Sequence, residues 1–406
     1  MPDSAAAPAM SDAPTTPVAF TGERGELTGI VIANAFLTLI TLGIYRFWAK
    51  TAIREYYWQN TLVGGDAFEY TGRGVELFLG FLIAMVVLTI VSVIVATAQF
   101  MVGLENIVAG QALEFVTYIL FAWLLGYAVY RARRYRLTRT LWRGIRFGQD
   151  GSPARYAWMR FGWLLLLIVT LGAVRPWYEV ALRRYEMAHT RFGFTRFDYG
   201  GRGRDLMRYW WPAFAVLLVT LVAFAGVAGG IGILAEANGL PDGHPEEFET
   251  VFEDALQHVW IQVGLAVIVA GYIAFALLDA RFRVAALRYL FAVSSLNGVT
   301  ARSEARLGRI LLYVFVSTGV ILALFGWAVL MVAVADGLGI LFMIIAVFAI
   351  GPVNQLFFVY PLVRHVATTL ETAELAALDD IVQATRDDPR FGEGLLDALD
   401  LDMGVV

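Results

Sequence analysis

Residues 41–78, TLGIYRFWAKTAIREYYWQNTLVGGDAFEYTGRGVELF, align without a gap onto residues 170–207, TLGAVRPWYEVALRRYEMAHTRFGFTRFDYGGRGRDLM. Sixteen of the 38 positions are identical at an offset of 129, which marks an internal duplication. Outward from this stretch, one basic and aromatic cassette occurs four times. It has Arg at or just before a Tyr, a hydroxyl five residues after that Tyr, Gly at eight or nine, Phe at twelve and Gly at sixteen. The copies are Tyr56, Thr61, Gly64, Phe68, Gly72; Tyr135, Thr140, Gly144, Phe147, Gly151; and Tyr185, Thr190, Gly193, Phe197, Gly201. The fourth, Tyr289, Ser294 and Gly298, has Ala301 and Ala305 in place of the Phe and the last Gly.

The cassettes lie between apolar segments. At 59% hydrophobic and 16% charged over 406 residues, the chain is too apolar for a soluble protein and reads as an all-α polytopic membrane protein. Stretches long enough to cross about 30 Å of hydrocarbon as helices fall at about 76–102, 111–130, 207–235, 259–280, 308–335 and 338–363. Two shorter segments, near 27–49 and 157–177, bring the apolar segments to eight. With no Cys, disulfides, thiolate metal sites and cysteine nucleophiles are excluded. Residues 1–20 lack the basic start and apolar run of a cleavable signal, so they read as a disordered leader.

All 31 Lys and Arg fall within 24–73, 131–208, 281–309 or 364–390, the regions that carry the cassettes and the tail. Cytoplasmic loops carry the positive charge of inner-membrane proteins, so all four cassettes and both termini should face the cytoplasm. Simple alternation of eight spans breaks this rule, because the cassettes at 133–151 and 183–201 flank a single apolar segment. That segment and its counterpart near 27–49 are therefore read as re-entrant, leaving six full crossings. Eight crossings with one cassette outside is the alternative. The integral membrane domain is then 21–364, with repeat unit one at 27–156, repeat unit two at 157–305 and an added helix pair at 308–363, followed by an acidic tail at 365–406.

Each cassette centres on a glycine turn between short alternating runs, Asn297-Gly298 being the strongest such signal, so four small β-hairpins are expected at the cytoplasmic face. Arg54, Arg133, Arg134, Arg183, Arg184 and Arg288 precede the turns. Guanidinium forks match phosphate oxygens, which makes these the candidate contacts for anionic lipid; topology determination and interface anchoring, which every inner-membrane protein needs, are the simpler explanation. Polar residues inside apolar segments point instead to a cavity or a partner helix. Asn34 and Thr41 in the first short segment, and Asn354 and Gln355 after Gly351-Pro352 in the last, are the candidates.

ITLGIYRFWAK, the Arg54-x-Tyr56-Tyr57 run with its following NT, F-Y and TG, and the SLNG turn resemble the YjgN-like family of bacterial inner-membrane proteins, a domain-of-unknown-function family. The resemblance covers roughly Phe20 to Arg364 and is most specific in the first cassette. It implies a polytopic cytoplasmic-membrane protein and carries no activity to any residue.

The remaining motifs are weaker. His244 and His258 among Glu246, Glu247, Glu249, Glu253 and Asp254 match no metal-ligand spacing. The TGRG and GGRG turns lack the dinucleotide fingerprint and the Walker lysine. Gly226 and Gly230 have the spacing of a close helix crossing. Residues 366–406 hold ten Asp or Glu, and ETAELAALDDIVQAT has helical spacing. No catalytic set, cofactor or nucleic-acid surface is implied, and membrane lipids are the expected partners. Two function classes remain: a small-solute transporter or channel, drawn from the duplication, the short broken segments and the kinked last helix, and an anionic-lipid-binding scaffold, drawn from the cassettes.

Overall fold

A computed structural model describes residues 15–237, 256–334 and 339–383. The acidic run with His244, and everything after Gln383, lie outside the described residues. The chain divides into two compact units, one formed by 1–165, 180–201 and 288–406 and the other by 166–179 and 202–287.

The first unit is built on a sheet. Strands β1 (Thr15–Pro17), β2 (Ala19–Phe20), β3 (Thr61–Val63), β4 (Asp66–Tyr70), β5 (Thr140–Trp142), β6 (Ile145–Gln149), β7 (Thr190–Phe192), β8 (Thr195–Tyr199), β9 (Ser294–Leu296), β10 (Val299–Ser303) and β11 (Leu370–Ala373) pair antiparallel in the order β1-β11-β10-β9-β8-β7-β6-β5-β4-β3-β2. β1 and β2 are the two ends of this order, yet they are consecutive in the chain, joined by Val18, whose N–H donates to Leu370 O at 2.9 Å. The ladder therefore closes on itself, and neither edge is left as a long unpaired strand. The strands of the four cassettes are parts of this one ring. Pairing into a ring supplies what a lone two-stranded hairpin lacks in water. It also draws in residues 15–20, whose Thr, Val and Phe suit a strand better than a leader.

Inside the ring, side chains from eight successive strands meet: Val63, Phe68, Trp142, Ile145, Phe147, Phe192, Phe197, Leu296 and Val299. The segment after β11 completes this core with Leu375, Leu378 and Ile381. The helix expected over ETAELAALDDIVQAT is thus replaced by β11 and a short 3-10 turn, Leu375–Leu378. Glu374, at φ 61°, breaks the pattern between them.

Tight turns join β3 to β4, β5 to β6, β7 to β8 and β9 to β10. Arg143-Gly144 (φ 51° and 74°) and Asn297-Gly298 (51° and 85°) take the paired left-handed conformations of a type I′ turn. Apart from Val18 between β1 and β2, the other connections carry helices, and each leaves and re-enters between neighbouring strands. α1 (Arg24–Ile40) and α2 (Arg46–Gln59) join β2 to β3, and α3 (Gly74–Glu105) and α4 (Ile107–Thr138) join β4 to β5. α5 (Pro153–Val169) and α6 (Arg175–Ala188) join β6 to β7; α7 (Gly203–Ala237) and α8 (Val259–Val293) lie between β8 and β9. α9 (Leu307–Val334), α10 (Gly339–Asn354), a π-helical turn (Gln355–Val359) and α11 (Tyr360–Thr368) join β10 to β11. In an antiparallel ring these connections share one rim and the tight turns share the other.

Among the described residues, six helices are long and apolar enough to cross a membrane: Gly74–Glu105, Ile107–Thr138, Gly203–Leu234, Val259–Val293, Leu307–Val332 and the continuous run Gly339–Thr368. They coincide with the six long apolar segments of the sequence. The bounds of α1 and α5 differ by 129 (24 and 153), as do those of α2 and α6 (46 and 175).

In the second unit, α7 and α8 cross closely. A Cβ on Gly230 would collide with Trp260, and one on Gly271 with Thr220, whereas Gly226 faces open space. Arg175 lies 4.6 Å from the Trp210 ring and 5.1 Å from that of Phe282, and pairs with Asp279.

Candidate functional site

The cassette residues divide into structural roles that repeat. The hydroxyl at position five donates to the carbonyl one residue after the Tyr in every copy. Thr61 reaches Tyr57 O at 2.8 Å, Thr140 reaches Arg136 O at 2.9 Å, and Thr190 and Ser294 reach Glu186 O and Leu290 O at 2.7 Å. Each satisfies a carbonyl left open where a helix ends and a strand begins. The Phe at twelve points into the ring, and so does an apolar residue at seven: Val63, Trp142, Phe192 and Leu296. The position at seven was missed in reading the sequence, although its signal, an apolar side chain in all four copies, was there.

The six candidate arginines are largely engaged with the protein itself. Arg54 is buried and donates to Tyr70 Oη at 3.1 Å. Arg184 donates to Gly201 O at 2.7 Å, and Arg288 to Ala305 O at the same distance. The carbonyl at position sixteen accepts the guanidinium, so Ala305 serves as well as glycine there. Arg133 and Arg183 converge on Glu186, at 3.7 and 3.0 Å, and Tyr156 donates to the same carboxylate at 2.8 Å. Burial acts to raise the Glu186 pKa, but the guanidinium groups of Arg133 and then Arg183 outweigh it and hold the carboxyl below its ordinary range. Arg134 has further interactions of its own in this region. A parallel pair joins the C-terminal end of α4 to α3, where Arg139 reaches Glu76 at 2.7 Å and Tyr135 reaches it at 3.1 Å.

The four cavity candidates separate. Thr41 belongs to a turn: its hydroxyl donates to Leu37 O at 2.7 Å and accepts from Tyr45 N at 2.9 Å. Leu42 and Gly43 follow at φ 50° and 92°, closing the α1 C-terminus with Gly43 N to Thr38 O at 2.7 Å. In the second unit Leu171 and Gly172 take φ 50° and 91° in the same motif. Asn354 is exposed on α10.

Asn34 and Gln355 are brought into packed elements. α1 runs out from the ring and α10, the π turn and α11 run back toward it, and α1 packs on both α10 and the π turn. The Arg24 guanidinium lies 4.9 Å from the Phe357 ring, and Leu27 and Val31 share a core with Val359, Tyr360, Tyr56 and Tyr57. Asn34 is the third buried position on that stripe of α1, at 7% exposure. It lies about 10 Å along the helix from Leu27. Asn34 Nδ2, Gln355 Oε1 and Tyr57 Oη are buried with no hydrogen-bond partner among the described residues. Burial raises the Tyr57 pKa, with Tyr56 and Tyr360 adding to it, so the phenol stays neutral. Pro352 has no N–H, which frees the carbonyl of Phe348 and explains why the helix widens just beyond it.

A model of a family described as bacterial proteins of unknown function, DUF898, matches residues 15–398. The chain belongs to this family. Among curated relatives, the inner membrane protein YjgN of Salmonella typhimurium is 30% identical over 156 residues, covering 38% of this chain and 36% of the relative. YjgN of Escherichia coli K12 is 29% identical over 154 residues, covering 38% and 35%. The chain thus matches about a third of the length of these relatives. No solved structure matches it. The family assignment agrees with the resemblance carried by the first cassette.

Proposed function

We propose that this family member is a multi-pass inner-membrane protein of transporter or channel type, which admits a small polar solute between a re-entrant hairpin, α1–α2, and the bulged last span. The ring supports the topology. Each helical connection begins and ends at neighbouring strands, so each crosses an even number of times. α2 carries Arg46, Lys50, Arg54 and Glu55 within 14 residues and is too charged to cross. α1 therefore returns to its own side, and α5–α6 does the same by the duplication. The tip of α1 is apolar and uncovered, Leu42 at 88% and Ile40 at 62%, which suits a hairpin dipping into hydrocarbon. The confinement of Lys and Arg to the ring side supports a cytoplasmic ring with cytoplasmic termini.

The observation that carries the functional reading is Asn34 Nδ2, buried without a partner on the helix that packs along the last span, whose π-helical turn holds a second such atom, Gln355 Oε1. A buried polar group without a partner costs about 1–3 kcal/mol, and π turns concentrate at functional sites. The alternative, an anionic-lipid-binding scaffold, is weakened because Arg54, Arg184 and Arg288 already donate within the protein.

The test is flux through proteoliposomes holding the purified protein, against a panel of acetamide, glycerol, Na⁺, K⁺ and chloride. At least one solute should cross faster than through empty liposomes, and Asn34→Leu should reduce that flux at least tenfold. Equal permeability of loaded and empty liposomes to the whole panel would end the transport reading.

A further inference from the structure

We infer that His365 is a pH-sensitive latch, which holds the corner between β10 and α9 shut while its imidazole is neutral and releases it when the surrounding solution turns acid. The latch is independent of what the membrane helices carry.

His365 occupies the tyrosine position of a fifth, shortened cassette. In the four copies the Tyr stands five residues before the first residue of a strand: Tyr56 before Thr61, Tyr135 before Thr140, Tyr185 before Thr190 and Tyr289 before Ser294. β11 starts at Leu370, and the same count back lands on His365. The contact is equivalent too. Tyr185 Oη accepts from Ser152 N at 3.1 Å and donates to Ser152 O at 3.0 Å; Ser152 lies seventeen residues after Tyr135, the Tyr of the preceding cassette. His365 Nε2 accepts from Arg306 N at 2.9 Å, and Arg306 lies seventeen residues after Tyr289.

The two side chains differ in how they answer to acid. A phenol ionises near pH 10, so its hydroxyl can accept throughout the acid and neutral range. An imidazole cannot. With Nε2 engaged as an acceptor, the one proton of the neutral ring sits on Nδ1, which is buried with no hydrogen-bond partner among the described residues. A second proton has only Nε2 to go to, where it would replace the acceptor by a donor facing the Arg306 N–H. It would also set a positive charge against the N-terminus of α9, which begins at Leu307.

The surroundings oppose that charge. Arg309, Arg306 and Arg288 bear on the imidazole, two from the first turn of α9 and one from near the end of α8. The Tyr313 ring of α9 lies 6.4 Å away, and Arg364 is the neighbour in sequence on α11. None of these is a carboxylate, so none of them compensates an imidazolium in the closed corner. Opened, the imidazole meets water and titrates near its ordinary value of about 6.5. The latch is therefore intact above that pH, and each unit below it favours the open corner about tenfold.

What the latch holds is the closing strand of the ring. Glu304 N donates to Thr369 O at 2.9 Å beside the same corner, and Ser303 pairs with Leu370 at the start of β11. β11 in turn carries β1 on its other edge. Release of Arg306 thus loosens the joint through which the ladder closes.

The experiment follows hydrogen–deuterium exchange by mass spectrometry on the full chain in lipid nanodiscs at pH 7.5 and 5.5, with each rate divided by that of an unstructured peptide at the same pH. In the wild type, protection over residues 303–309 and 365–372 should fall about tenfold at pH 5.5. Residues 71–77, where Tyr135 reaches Glu76, should keep theirs. His365→Tyr restores the cassette residue, and His365→Gln supplies an amide oxygen that accepts without titrating. Either one should hold the corner equally at both pH values, and the second serves if the first fails to fold. Equal wild-type protection at both pH values would overturn the latch, as would an equal fall over residues 71–77 or the wild-type fall in a folded variant.

Discussion

Arg184 reaches across seventeen residues to the main-chain carbonyl of Gly201 at 2.7 Å, and Arg288 makes the same reach to Ala305. In each case the guanidinium at a helix end ties down the point where the second strand of the cassette turns away from the ring. A charge-assisted bond of this kind contributes about 1.5–3 kcal/mol, so Arg184→Met should lower the thermal unfolding midpoint in detergent. The two acceptor positions should differ. A Cβ on Gly201 would collide with the Tyr199 ring and its Oη, whereas Ala305 already carries one in a fully buried position. Gly201→Ala is expected to destabilise and Ala305→Gly to cost about 1 kcal/mol or less; a reversed order in paired melts would contradict this account of the cassette.

Glu186 gives a pH dependence with a definite sign. Its carboxyl is held below the ordinary value of 4.5 in the folded protein, with Arg133 and Arg183 overcoming the effect of burial. Its contribution is therefore fully present above the unfolded value and is lost as pH falls through the lower, folded one. Glu186→Gln leaves two guanidinium groups without their shared carboxylate, at a cost of about 3–5 kcal/mol near neutrality. The same substitution should flatten the loss of stability between about pH 5 and pH 3. Melts of both proteins across that range check it, and parallel acid curves would remove Glu186 as the cause.

The segment after β11 closes the ring. Leu378 and Ile381 fill its interior, Asp379 pairs with Arg143 at 2.6 Å, and the Gln383 side chain accepts from Arg146 N at 2.7 Å. Ile381→Ala should destabilise by about 2–4 kcal/mol, as large-to-small changes in a packed core do. Arg143→Ala should cost under about 1 kcal/mol, because its pairs are partly exposed and screened. Truncation after Ala373 should expose Trp142 and Phe192, read as a rise in binding of a hydrophobic dye. Unchanged dye binding on truncation would show that the segment does not cover the ring core.

Much of this was legible in the sequence, for identifiable reasons. Spans are written in apolar length, and turns in glycine with a preceding Asn or Arg, so Val259–Val293 and Asn297-Gly298 needed no tertiary knowledge. The ring did not show. Its closure depends on Thr15–Phe20 pairing with β11 at one end and β3 at the other, contacts some 350 and 40 residues away in the chain, and no local pattern encodes them. For the same reason the ETA that opens ETAELAALDDIVQAT read as helix: its spacing permits either state, and the free edge of β10 decides. Asn34 was singled out as a polar residue in an apolar run, and that reasoning led to the α1 stripe; Thr41, chosen by the same rule, belongs to a turn because a hydroxyl can satisfy its own helix end and an amide on a buried stripe cannot.

The topology is the last point open to direct measurement, and the absence of Cys from the chain makes it clean. With the ring in the cytoplasm, Ser152→Cys and Thr195→Cys should both resist an impermeant maleimide on intact cells and react once the cells are opened. Glu105→Cys, at the C-terminal end of α3 and the far end of the first full helix pair, should react on intact cells. Leu42→Cys discriminates further, because a hairpin tip held in hydrocarbon disfavours the thiolate that attacks the reagent and should label slowly from either side. If α1 were a full crossing, Leu42→Cys would instead label as readily as Glu105→Cys, and one of the Ser152 and Thr195 positions would label on intact cells while the other did not. That pattern would overturn the proposed topology.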